Sequence, residues 1–136
     1  MPTLQLSGGG GSLTITSEES PEPLYWRVTL TSGGLHASTD IDLDAIRHSV
    51  EPIGEFFLRL AADWRGWQGE RRWGDDPLML SATHDGLGHV AITVQLVTNI
   101  YSEPVWEARA SIQLEAGRLD HAARDAAQLR LLPGAE

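Results

Sequence analysis

The sequence predicts an α+β fold: an antiparallel β-sheet of six to seven strands, built from hairpins as a meander, with two α-helices packed on one of its faces. Three observations point there. Apolar residues alternate at period two through several short segments. Glycine-containing turns separate neighbouring segments. In the middle of the chain and near its end, the apolar spacing changes to three and four, the spacing of a helix face. The 136 residues suit one α+β domain covering 1–136, and a chain of this size can bury a core without disulfides or metal.

The elements follow in order. "TLQLS" and "SLTIT" flank "GGGG" and predict an N-terminal hairpin. "SEESPEP" is a polar loop punctuated by proline. In "LYWRVTLTSGGLHASTDIDLD", Leu24, Trp26, Val28 and Leu30 alternate on one strand face. Gly33-Gly34 supplies a two-residue turn, because glycine tolerates the positive φ that tight hairpins need. That turn sets the register. It places Leu30 opposite Ala37, Val28 opposite Thr39 and Trp26 opposite Ile41, with Arg27 facing Asp40 and Tyr25 facing Asp42 on the other side. A helix is expected from about Ser49 to Arg65, capped by Ser49, with Ile53, Phe57, Leu60 and Trp64 forming its apolar stripe. Gly66 then fits the residue just past the helix end, and "QGERRWGDDP" reads as an irregular connection. "LMLSATH", "HVAITVQLV" and "VWEARASIQLE" read as three further strands. Aligning Leu80 with Val94 and Ala82 with Ile92 requires a five-residue loop or a bulge near His89. "LDHAARDAAQLRLL" closes the chain as an alanine-rich helix with Leu119, Ala122, Ala123, Ala126 and Leu129 on one side. The two strand-rich halves, each ending in a helix, are vaguely alike.

Composition narrows the function classes. There is no cysteine, which excludes disulfides, thiol catalysis and cysteine-ligated zinc. A formal charge of −9 opposes general nucleic-acid binding; it either attracts a basic partner or simply keeps the protein soluble. The start "MPTLQLSGGGG" lacks a basic region followed by a long apolar core, and no apolar run is long enough to span a bilayer. A cytoplasmic protein with no membrane association is therefore expected.

Several groups of residues suggest chemistry. Asp40, Asp42, Asp44 and Glu51 match ligand positions of a calcium-binding EF-hand loop. Yet Ala45 stands where that loop needs glycine, and a strand precedes it instead of a helix. What remains is an acidic strand face beside Arg27: a solvated face with one cross-strand ion pair, or a patch for contact with a basic partner. "THDGLGHV" places His84, Asp85 and His89 around one hairpin, the alternative candidates for a metal site or a small metal-dependent enzyme. A third or fourth ligand would have to arrive from elsewhere, such as His36 or His121. Ordinary hairpin chemistry explains the same residues more simply. The glycine loops run from strand to strand, not into a helix N-terminus, so they are not phosphate cradles. No spaced catalytic motif is present, and no catalytic residue or cofactor is expected. A sugar- or nucleotide-binding sheet face would need Tyr25, Arg27 and Tyr101.

The order of these elements resembles a group of small actinobacterial proteins of unknown function related to WapI-type immunity proteins. The most specific shared words are "LAADWRGW" and "ATHDGLGHV", and the resemblance runs from about Leu24 to Leu132. It implies a non-enzymatic protein that binds and neutralises a cognate toxin, and it brings no catalytic residues with it.

"DWRGWQGERRW" concentrates three of the five tryptophans. Trp64 is expected to be buried as part of the helix stripe, and Trp67 to fold back on Ala61 and Ala62. That leaves Arg71, Arg72 and Trp73 in a loop as candidates for contacting a partner, unless the arginines pair with Asp75 and Asp76.

Overall fold

The computed structural model describes residues 2–18, 25–42, 51–98 and 105–129. Among the described residues, eight strands and two α-helices follow one another along the chain. β1 (Thr3–Gly8), β2 (Gly11–Glu18), β3 (Tyr25–Ser32) and β4 (Leu35–Asp42) come first, followed by α1 (Ile53–Ala62). Then come β5 (Arg71–Asp75), β6 (Leu78–His84), β7 (His89–Val97), β8 (Glu107–Glu115) and α2 (Leu119–Ala126). The predicted α+β class and antiparallel pairing hold. The single sheet of six to seven strands does not: the strands form two four-stranded meanders, β1-β2-β3-β4 and β5-β6-β7-β8. Periodicity reveals strands but not which of them pair, and α1 falls where the ladder breaks.

Within each sheet the pattern set the register well. Ser32 faces Leu35, Leu30 faces Ala37, Trp26 faces Ile41 and Arg27 faces Asp40, as the Gly33-Gly34 turn requires. Leu80 faces Val94, Ala82 faces Ile92 and His84 faces Val90, so the five-residue connection is the one used and no bulge is needed.

The inner faces of both sheets and the apolar sides of both helices share one core. Leu4, Ile15, Val28 and Leu30 enter it from the first sheet, Leu80, Ile92, Val94 and Ile112 from the second. Phe56, Phe57 and Leu60 join from α1, and Leu119, Ala122 and Ala126 from α2. The helices pack closely on each other: a Cβ added to Gly54 would lie 2.9 Å from the Ala127 Cα. Trp26 of β3 and Trp73 of β5 stack with ring centroids 6.2 Å apart, joining the two halves across the core. At another seam the β1–β2 turn presses on β8, where a Cβ on Gly8 would stand 1.8 Å from the Gln113 carbonyl oxygen. Only glycine permits that approach.

Three expectations fail around α1. The helix ends at Ala62 instead of Arg65, with Asp63 as its C-cap, and Ser49 lies outside the described residues. Trp64 therefore leaves the stripe that depended on continued helix, and it is 50% exposed. Trp67 is the tryptophan that turns inward. It packs against the core cluster that includes Ala61, and its indole donates to the Ala82 carbonyl at 3.2 Å. The expected irregular connection contains strand β5. Its alternation was invisible because Trp73 is the only large apolar residue in "RRWGD".

Candidate functional site

The β6–β7 hairpin carries the densest set of side-chain hydrogen bonds among the described residues, and the "HDGLGH" sequence explains why. Asp85 opens the loop. Its Oδ1 accepts from the Leu87 amide at 2.6 Å and the His89 amide at 3.0 Å. Its Oδ2 accepts from His89 Nδ1 at 2.9 Å. An aspartate closing a turn on its own backbone in this way is a strong local constraint. The Leu87 amide above all, opposed by desolvation and helped by the His89 amide and ring, holds the Asp85 carboxyl below the usual aspartate range. Gly86 and Gly88 take the positive φ values of 77° and 92° that complete the turn.

His84 performs a different task. Its Nδ1 accepts from the Gly86 amide at 2.8 Å. Its Nε2 lies 2.7 Å from the Trp64 carbonyl, which can only accept. The two bonds together require a neutral ring with the proton on Nε2. The Trp67 ring meets the imidazole edge-on at 5.2 Å. His89 is held the opposite way, with its proton on Nδ1 facing Asp85.

This network brings the exit of α1 beside the hairpin tip. Trp64 is 50% and Leu87 81% exposed, and both line a shallow depression of about 440 Å³ with Arg65, His89 and Glu115. The Arg65 guanidinium sits 5.2 Å from the Trp64 ring centroid. His89 and Glu115 are direct cross-strand partners.

The structure therefore does bring His84, Asp85 and His89 together, but as a hydrogen-bonded turn. His84 has both nitrogens engaged, and Asp85 has three donors. His36 lies on β4 and His121 on α2, where it faces Asp125 at 3.6 Å. Among the described residues no group of three or more His, Cys, Asp or Glu side chains could hold a metal ion.

The other candidates are spread out. Asp40 pairs with Arg27 at 3.0 Å on the outer face of the first sheet. Asp42 stands opposite Tyr25 on the same face. Asp44 and Tyr101 lie outside the described residues. Glu51 pairs with Arg59, not with the aspartates of β4. Arg71 pairs with Asp63 at 2.8 Å and lies over Trp67 at 5.0 Å, while Arg72 pairs with Glu70 at 3.3 Å. Their partners are thus not Asp75 and Asp76. Trp73, expected in a contact loop, is 2% exposed and donates to the Glu51 carbonyl at 2.8 Å. It is a core residue. The pair that sequence reading missed is Trp64 with Leu87. A leucine flanked by glycines in a hairpin tip was a usable signal of exposure; the early end of α1 was not visible.

Fold and site define a two-sheet α+β domain with a rigid, partly apolar surface at one hairpin. The chain belongs to a family of unknown function (DUF6228), whose model matches residues 7–131. No curated protein matches it. No helix among the described residues is long and apolar enough to cross a membrane.

Proposed function

We propose that the chain is a non-enzymatic, cytoplasmic protein-binding domain whose partner is a basic protein, and that it docks through the Trp64–Leu87 surface. The observation that carries this reading is the exposure of a tryptophan and a leucine on backbone fixed by hydrogen bonds. Interface energy concentrates in a few such anchors, with Trp and Arg enriched among them. Backbone that is already ordered loses little entropy on docking. The charge of −9 would speed the approach of a basic partner and make association fall with salt. In its finer form, suggested by the resemblance to WapI-type immunity proteins, the partner is a cognate toxin that this chain neutralises.

Co-expression with the product of the adjacent gene tests the proposal. The expected result is a complex that weakens as salt rises and cells that survive the toxin. Trp64→Ala should lower affinity by about 2 kcal/mol, roughly 30-fold. No complex and no protection would remove the immunity form. Full affinity in a Trp64→Ala, Leu87→Ser double variant would remove this surface as the docking site.

A further inference from the structure

We infer that His84 is the positioning residue of the docking surface: its neutral Nε2–H form ties the α1 exit to the hairpin and so fixes Trp64 relative to Leu87. The inference rests on the binding reading above. No backbone–backbone hydrogen bond among the described residues joins 63–67 to 84–89. The link is made by the imidazole. Its Nε2–H donates to the Trp64 carbonyl at 2.7 Å, and its Nδ1 accepts the Gly86 amide at 2.8 Å. One rigid ring thus spans the carbonyl of one anchor and the amide preceding the other. Two contacts keep the ring in place. Trp67 packs edge-on at 5.2 Å while its own indole is bonded to Ala82. A Cβ on Gly66 would come within 3.5 Å of Nδ1, so that stretch of backbone lies directly against the imidazole. Asp85 then passes the constraint on to Leu87, whose amide it accepts at 2.6 Å. A histidine used only to close the turn would need Nδ1 alone; the bond from Nε2 across to Trp64 is what makes it a tie.

Two substitutions separate these roles by geometry. An asparagine oxygen can stand near Nδ1 and accept Gly86, but it offers nothing at the distance of Nε2. A glutamine amide reaches the Nε2 position but leaves the Gly86 amide without its acceptor. Nitrogen-15 NMR of the whole chain should find His84 with its proton on Nε2; a proton on Nδ1 would overturn the inference. Hydrogen exchange should then show that His84→Asn speeds opening at residues 64–66 about fivefold, as expected for losing one net hydrogen bond. Leu87 and His89 amides should keep their wild-type protection. His84→Gln should do the reverse, loosening Gly86 while residues 64–66 stay near wild type. Equal exchange at 64–66 in wild type and His84→Asn would also overturn it. Against the partner, His84→Asn should bind more weakly than His84→Gln. Equal binding by both would overturn the positioning role, whereas full binding by the Trp64→Ala, Leu87→Ser double variant would overturn the docking surface itself.

Discussion

The two meanders share a topology and differ in what their turns and outer faces do. In the first, three cross-strand rows cover the outside: Thr3-Thr16-Arg27-Asp40, Gln5-Thr14-Thr29-Ser38 and Ser7-Ser12-Thr31-His36. Every position is polar, and neighbours satisfy one another, as with Ser12 and Thr31 at 2.7 Å and Thr29 and Ser38 at 3.0 Å. Its hairpin turns among the described residues are Gly9-Gly10 and Gly33-Gly34, which have no side chains to offer. In the second, Met79 and Ala91 interrupt the outer face, and the β6–β7 turn carries Asp85, Leu87 and a flanking histidine at each end. A glycine turn can only reverse the chain. A turn with side chains can also hold a neighbouring segment and present a surface. The first half is scaffold, and the second carries the candidate site on the same plan.

The joint between the halves is where a single substitution should cost most. Trp73→Ala should cost about 3–5 kcal/mol, because it removes a buried indole stacked on Trp26. Denaturant unfolding would measure this, and a loss near 1 kcal/mol would mean that the halves do not depend on the stack. Next comes the seam at the first turn. Gly8→Ala should cost about 3 kcal/mol, since its Cβ meets the Gln113 carbonyl. Gly10→Ala, with φ of 84° and open space around it, should cost only about 1 kcal/mol. Equal losses would show that the seam can relax. Phenylalanine substitutions sharpen the picture further. Trp73→Phe should be about 1 kcal/mol worse than Trp26→Phe. The Trp73 indole donates to Glu51, while the buried Trp26 Nε1 has no hydrogen-bond partner among the described residues.

Effects at the site itself should be small and local. Asp85 has its pKa lowered in the folded chain, so the loop constraint is fully present at and above the ordinary aspartate range. It is lost as pH falls through the lowered value. The Leu87 and His89 amide resonances should titrate together with a midpoint below that of a free aspartate; a midpoint at or above it would contradict the carboxylate's role. Smallest of all, Trp64→Ala and Leu87→Ser should each change stability by no more than about 0.5 kcal/mol, as both residues project into solvent. A large loss would return Trp64 to the structural role its spacing suggested.

Much of the fold was legible because strand and turn chemistry are local. The β3–β4 register follows from Gly33-Gly34 and the alternation of Trp26, Val28 and Leu30 alone. The division into two sheets was not legible, since the alternation within β4 and β5 does not record whether the two strands pair across the helix between them. Nor was β5, where one tryptophan provides all the apolar signal. At the site, the turn role of His84, Asp85 and His89 was readable from "HDGLGH". The tie to Trp64 was not, because it spans 20 residues and uses a backbone carbonyl that no side-chain pattern records.

The turn at Gly8 also bears on how copies of the protein meet one another. β8 is the last strand of its sheet, and such an edge offers unpaired backbone groups to any other extended chain. Here the β1–β2 turn sits over it: Cβ atoms on Gly8 and Gly11 would lie 1.8 Å from the Gln113 oxygen and 3.2 Å from the Ser111 oxygen. The N-terminal hairpin thus acts as a lid on a surface that could recruit further copies. A variant that lifts the hairpin should reveal itself at high concentration, through chains that zip together along β8, before it reveals itself in a melting curve.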